Sequence, residues 1–118
     1  MAERRMFAKS VIDCDDFLDL SHEAQLLYFH LGMQADDDGF VKNPRSQARM
    51  LGLSKAILEE LINGKFLIQF ESGVVAIAHW KISNYIQKDR YHPSVYTAEK
   101  KRLSQCENGV YILDTEVP

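Results

Sequence analysis

Between His22 and Ala35 the apolar side chains Ala24, Leu27, Tyr28, Leu31 and Ala35 recur at i, i+3, i+4, i+7 and i+11, the signature of a helix with one buried face. Ser21 stands just ahead of them as a capping residue, and the pattern predicts a helix over 22–34. A second helix is predicted from Pro44, which suits a first helical position, to Leu51, with Ala48, Met50 and Leu51 facing the core and Gly52 as a left-handed stop. Ser54 then caps a third, whose Ile57, Leu58, Leu61 and Ile62 face inward while Lys55, Glu59 and Asn63 face outward. After Asn63-Gly64 the period shortens to that of a strand. Phe66–Phe70, the turn Glu71-Ser72-Gly73 and Val74–Ile77 form a hairpin, with Phe40-Val41 as a short strand able to pair with it.

The flanks are less regular. Arg4–Ile12 reads as a strand or an extended arm, and Asp13 as the cap of a short helix through Phe17 and Leu18, with Asp15 and Asp16 near its positive end. His30 lies beside the apolar stripe as a partly buried packing residue, and Asp36-Asp37-Asp38-Gly39 is a polar turn that stops the first long helix. Downstream, His79–Pro93 interleaves basic and aromatic residues. Either Trp80, Ile82, Tyr85 and Ile86 anchor this segment while its cations are merely solvated, or cations and rings together hold a nucleic acid; the two are compatible. Ser94–Gln105 is predicted as a helix carrying the cluster Lys100-Lys101-Arg102. Asn108-Gly109 is a turn signal, Val110–Leu113 a last strand, and 114–118 a tail or the start of a linker after a domain spanning 1–113.

Helix, tight turn, helix and hairpin in this order are the pattern of a winged helix-turn-helix, whose second helix commonly enters a DNA major groove. The expected fold class is therefore α+β and mainly helical: a winged helix-turn-helix with a small antiparallel sheet and extra N- and C-terminal elements. Its 118 residues and 46% apolar content suit one packed domain. The net charge of −3 does not announce a nucleic-acid binder, but its distribution adds something. Residues 81–105 carry 6 basic and 2 acidic side chains, so positive charge gathers just after the hairpin, where phosphates would lie beside a docked winged helix.

Other chemistry is poorly represented. There is no G-x-x-x-x-G-K-[ST] loop, no G-x-S-x-G elbow and no H-E-x-x-H, so the sequence does not read as an enzyme and calls for no cofactor. The four histidines and two cysteines lack zinc spacing, and three consecutive Asp residues do not match an EF-type calcium loop; no metal site is expected. Cys14 and Cys106 lie far apart without a preceding apolar signal region, and no run approaches the length of a membrane span. This points to a reduced, cytoplasmic protein with no membrane partner.

Several strings carry a resemblance. Arg5-Met6-Phe7, Tyr28–Met33, Ala35–Val41, Phe70–Gly73, His79–Ile82, Asn84–Ile86 and Lys88–Tyr91 resemble the N-terminal domain of phage replisome organisers, or phage replication initiation proteins. These are similar in role and domain type to the DnaD-like primosomal proteins. The resemblance covers roughly the first 110 residues, and its most specific part is the Leu-Gly-Met…Asp-Asp-Asp-Gly-Phe-Val string. It implies a winged-helix domain that binds double-stranded origin DNA, forms homo-oligomers and takes part in the primosome. It further implies recruitment of a helicase loader through a C-terminal region beyond these residues.

On this reading the helix from Ser54 to Asn63 offers Lys55, Ala56, Glu59 and Asn63 to base edges. Arg45, Gln47 and Arg49 hold the backbone beside it, and Lys81, Lys88 and Arg90 contact flanking phosphates. The pair Glu59-Glu60 on the same helix argues the other way, because carboxylates repel phosphates. Two alternatives follow: a protein–protein oligomerisation scaffold of the primosome, and a winged-helix transcriptional regulator.

Overall fold

The computed structural model of the chain describes residues 5–84, 91–105 and 110–113. Residues 5–8 are in neither helix nor strand; Lys9–Ile12, expected to be extended, is instead a single-turn helix, α1, and the short helix expected through Phe17 and Leu18 is formed as α2 (Asp15–Leu18). Each drives one apolar side chain inward, Val11 and Phe17. Asp13 closes α1 rather than capping α2, whose N-cap is Cys14 with no side-chain bond. The break between the two turns lets the Phe17 ring meet Tyr28 and Phe66 edge-on, at 5.2 and 5.6 Å.

Helix α3 (His22–Gln34) follows the predicted stripe: Ser21 accepts a hydrogen bond from the Ala24 amide, and Ala24, Leu27, Tyr28 and Leu31 are buried. His30 is exposed, so the packed stripe is narrower than expected. Strand β1 (Phe40–Val41) leads into α4 (Pro44–Met50) and α5 (Lys55–Asn63). Leu58 and Leu61 of α5 are buried and Ile57 and Ile62 half-buried, as the period requires. Met50 is 79% exposed and lies outside the core. Ser54 occupies the N-cap of α5 without a side-chain bond; its carbonyl accepts the Ile57 amide at 3.1 Å instead.

The two helices end alike on different residues. After α4, Leu53 N–H donates to Ala48 O and Gly52 N–H to Arg49 O, the paired bonds of a Schellman stop, with Gly52 left-handed at φ 74°. After α5, Phe66 N–H donates to Leu61 O and Lys65 N–H to Ile62 O. The left-handed position there falls on Lys65, at φ 68°, and Gly64 sits one residue too early to take it.

Strands β2 (Leu67–Gln69) and β3 (Val75–Ile77) form the hairpin, and β1 pairs with β3 as expected, giving an antiparallel sheet of order β1-β3-β2. Short helices α6 (Trp80–Ser83) and α7 (Thr97–Lys101) follow. The long helix predicted over 94–105 is not formed. Ser94 is tied down by its amide and hydroxyl, and Leu103–Gln105 leaves the helical path as β4 to pair with β5 (Tyr111–Leu113). Tyr111 N–H donates to Ala78 O at 2.8 Å, which fastens this second hairpin to the end of β3. Apolar side chains from α1–α5 and the sheet form the main core. Phe40, Phe70, Val74 and Ala76 form a second cluster under Tyr96, Leu103 and Leu113. Among the described residues no helix is long and apolar enough to cross a membrane.

Candidate nucleic-acid interface

The helix pair α4–α5 is held from behind by α3, and the outward side of α5 is left to solvent. Lys55, Ala56, Glu59 and Asn63 are all exposed there, so the predicted reading side chains share an accessible surface. Lys55 and Glu59 form an exposed i,i+4 pair at 3.9 Å. Glu60 behaves differently. Its carboxylate accepts the Ser21 amide and the Ser21 hydroxyl, each at 2.7 Å, so it tethers α5 to the start of α3. One of the two carboxylates that argued against phosphate contact is thereby accounted for inside the domain.

On α4, Arg45 and Arg49 are exposed and Gln47 is half-buried. Lys42, at the end of β1, is exposed as well. Among the described residues, Lys42, Arg45 and Arg49 have no ion-pair partner. A cleft of about 610 Å³ separates Lys42, Asn43, Arg45 and Ser46 from the hairpin turn at Glu71, Ser72 and Gly73.

The positive charge after the hairpin is placed otherwise than its position in the sequence suggests. Lys81 Nζ lies 3.5 Å from Asp38 Oδ1, and Lys100 Nζ lies 3.1 Å from Asp38 Oδ2. Arg102 lies over the Phe70 ring at 5.6 Å. Lys88 and Arg90, predicted to contact flanking phosphates, lie outside the described residues, as do Tyr85 and Ile86. Of the anchors proposed for this segment, Trp80 is buried and Ile82 is exposed.

The turn at Asp36-Asp37-Asp38 is far less solvated than its composition suggests. It is a turn, yet Asp37 and Asp38 are buried at 1% and 0% exposure. Asp36 Oδ1 accepts the amides of Asp38 and Phe40, and its Oδ2 accepts the Ser94 hydroxyl at 2.6 Å. Asp37 pairs with Arg5 at 3.1 Å and accepts the His92 amide; Arg5 also donates to Ala35 O and lies over the Trp80 ring. Trp80 Nε1 donates to Asp37 O.

Asp38 collects the hydroxyl of Tyr91, the amide of Ser94 and both lysines, while Tyr111 donates to its carbonyl. Burial opposes ionisation of Asp38. The hydrogen bonds from Tyr91, Ser94 and Lys100, with the Lys100 charge, outweigh that and hold its carboxyl below the usual range. Lys100 is pushed above its usual value: burial opposes its charge, but Tyr91 and Asp38 prevail. Gly39 completes the turn at φ 91°, and a Cβ there would meet Trp80 Cγ at 2.5 Å, so neither the angle nor the space admits a side chain.

This network joins residues 43 to 62 positions apart, from Asp38 to Lys81, Tyr91, Ser94 and Lys100, and no spacing rule reaches across such distances. Among the described residues no group of three or more His, Cys, Asp or Glu side chains is arranged to hold a metal ion. The carboxylates of the turn take protein donors instead. His79, next to Trp80, has its Nδ1 buried with no hydrogen-bond partner among the described residues, and burial holds its pKa below the usual range. In comparisons with known proteins, no family model, no curated protein and no solved structure matches the chain.

Proposed function

We propose that the chain is a winged helix-turn-helix DNA-binding domain of the phage replisome-organiser kind, which binds double-stranded origin DNA and self-associates. The observation that carries this reading is the exposed side of α5: Lys55, Ala56, Glu59 and Asn63 stand together in solvent, while Glu60 is turned inward onto Ser21. The element order supports it. Helix α3, strand β1, helices α4 and α5 and the β2–β3 hairpin, with strand order β1-β3-β2, follow the plan of a winged helix. In this arrangement α5 reads base edges in the major groove. Arg45 and Arg49, which have no ion-pair partner among the described residues, neutralise phosphates beside it.

Gel retardation of origin and unrelated duplex fragments across a salt series tests the proposal. Retention that weakens with salt and prefers the origin fragment is expected, and absence of salt-dependent retention overturns it. Footprinting separates the organiser from a transcriptional regulator, since the former protects an origin and the latter a promoter. A second reading, an oligomerisation scaffold of the primosome, is favoured by one observation. Lys81 and Lys100 are committed to Asp38, so part of the positive charge after the hairpin is neutralised inside the domain. That reading predicts a multimer by light scattering with no DNA retention.

A further inference from the structure

Lys42 lies on the border of two clefts. One is the polar cleft between α4 and the hairpin turn; the other, about 550 Å³, is lined by Phe40, His92, Pro93, Val95 and Tyr96. The two differ in chemistry. The first presents Lys42 and Arg45, cations without an ion-pair partner among the described residues, together with Asn43, whose side chain does not cap α4. The second is mixed: Phe40, Pro93, Val95 and Tyr96 give it an apolar, aromatic wall, and Asp36, whose carboxylate accepts three protein donors, lies on its polar side. Val95 is 82% exposed, and the half-buried Tyr96 ring leans on Phe40 at 6.1 Å between centroids.

We infer that these adjoining clefts form a site for an unpaired nucleic-acid strand, with phosphates on Lys42 and Arg45 and a base against Tyr96. Cations tracking a backbone beside a ring are the means by which single strands are held without sequence readout. A duplex does not suit the aromatic half, because its bases are stacked on one another and present no free face to Tyr96. The carboxylates nearby are partly committed. Asp36 accepts the Asp38 and Phe40 amides and the Ser94 hydroxyl, and Glu99 accepts the Ser72 hydroxyl. Glu71, exposed at the hairpin turn, is the acidic group that borders the polar cleft. The inference rests on the nucleic-acid reading above and adds a second form of ligand, centred on Lys42 and Tyr96 rather than on the outward side of α5, with Arg45 common to both.

Fluorescence anisotropy of the 118-residue chain with an oligothymidine of about 15 nucleotides, a length within the usual site sizes, and with a duplex of equal length tests it. Tyr96→Leu is expected to weaken oligothymidine binding about tenfold and to leave duplex binding unchanged, with Tyr96→Phe restoring the single-strand affinity. Lys42→Gln, at an exposed position, is expected to lower the single-strand salt slope by about 0.7 and stays informative if the leucine variant fails to fold. Oligothymidine binding that Lys42→Gln and Tyr96→Leu leave intact overturns the inference, as does a parallel loss of duplex binding in Tyr96→Leu. A wild-type chain that binds duplex but not oligothymidine overturns this inference alone. One that binds neither overturns the nucleic-acid reading with it.

Discussion

Lys100 Nζ stands 3.1 Å from Asp38 Oδ2 and donates to Tyr91 Oη at 2.8 Å, while the Tyr91 hydroxyl donates back to the same carboxylate. This closed triangle ties the α7–β4 segment to the turn that precedes β1, and it withdraws a lysine from the surface charge. An ionised carboxylate with no exposure is costly to bury, and its partners decide whether it stabilises or destabilises the domain. Here the donors outweigh burial, so the charged form is the one that the fold holds.

Asp38→Asn keeps the shape and removes the charge that faces Lys81 and Lys100. The expected loss is roughly 3 kcal/mol, at the low end for breaking a buried pair because both lysines keep part of their water contact. Urea unfolding monitored by circular dichroism measures it. A loss below about 0.5 kcal/mol would show that the network does not secure the C-terminal hairpin.

Acid acts on two groups in turn. His79 and Asp38 both have folded pKa values below their unfolded ones, so each contributes stability that is present above the unfolded value and lost as pH falls through the folded one. For His79 the loss begins below about pH 6.5, and for Asp38 below about pH 3.9. Thermal melts between pH 7 and pH 2 should therefore show two declines, the second of them smaller in Asp38→Asn than in the unaltered chain. His79→Gln, which cannot titrate, is expected to remove the first and leave the second.

Lys65→Gly replaces a side chain at the left-handed position after α5. A non-glycine residue there carries a steric cost of about 1–2 kcal/mol, offset in part by the greater chain freedom that glycine loses on folding. Lys65→Ala keeps the steric cost and removes the same side-chain contacts, so Lys65→Gly is expected to be more stable than Lys65→Ala by about 0.5–1 kcal/mol in denaturant unfolding, and a glycine variant no more stable than the alanine one would contradict the assignment of the stop to residue 65.

Glu60→Ala removes the acceptor for both Ser21 donors. A loss of about 2 kcal/mol is expected, since hydrogen bonds to charged groups contribute about 1.5–3 kcal/mol. DNA affinity at a temperature where the variant is folded should not rise. Tighter binding would place the Glu60 charge against phosphates rather than against α3.

Arg45→Gln with Arg49→Gln should reduce the duplex salt slope by about 1.8, or 0.9 for each phosphate released. Lys100→Gln should change it little, because its charge is already met by Asp38. Equal effects in gel retardation would return the phosphate contact to the segment after the hairpin.

Local order was written into the chain. The stripe Ala24, Leu27, Tyr28, Leu31, the inward side of α5, the stop at Gly52, the hairpin and the pairing of β1 follow from period and turn chemistry, which act between residues a few positions apart. Where two local signals competed, tertiary contacts settled the outcome. Leu103–Gln105 left a helical pattern to pair with β5, and Met50 fell outside the core despite its apolar side chain.

What only the folded chain decided was the fate of its charges. Asp36-Asp37-Asp38 looked like a solvated turn, Glu60 like a carboxylate facing DNA, and Lys81 and Lys100 like free cations. Folding buried Asp37 and Asp38 and left Asp36 half-buried, turned Glu60 onto Ser21 and set Lys81 and Lys100 against Asp38. Periodicity reports which face of an element is apolar, whereas a charged group acts on whatever lies within a few ångströms. Apart from two amides within the turn itself, its partners here come from 32 residues away (Arg5 to Asp37) to 62 (Lys100 to Asp38), a distance that only the tertiary fold closes.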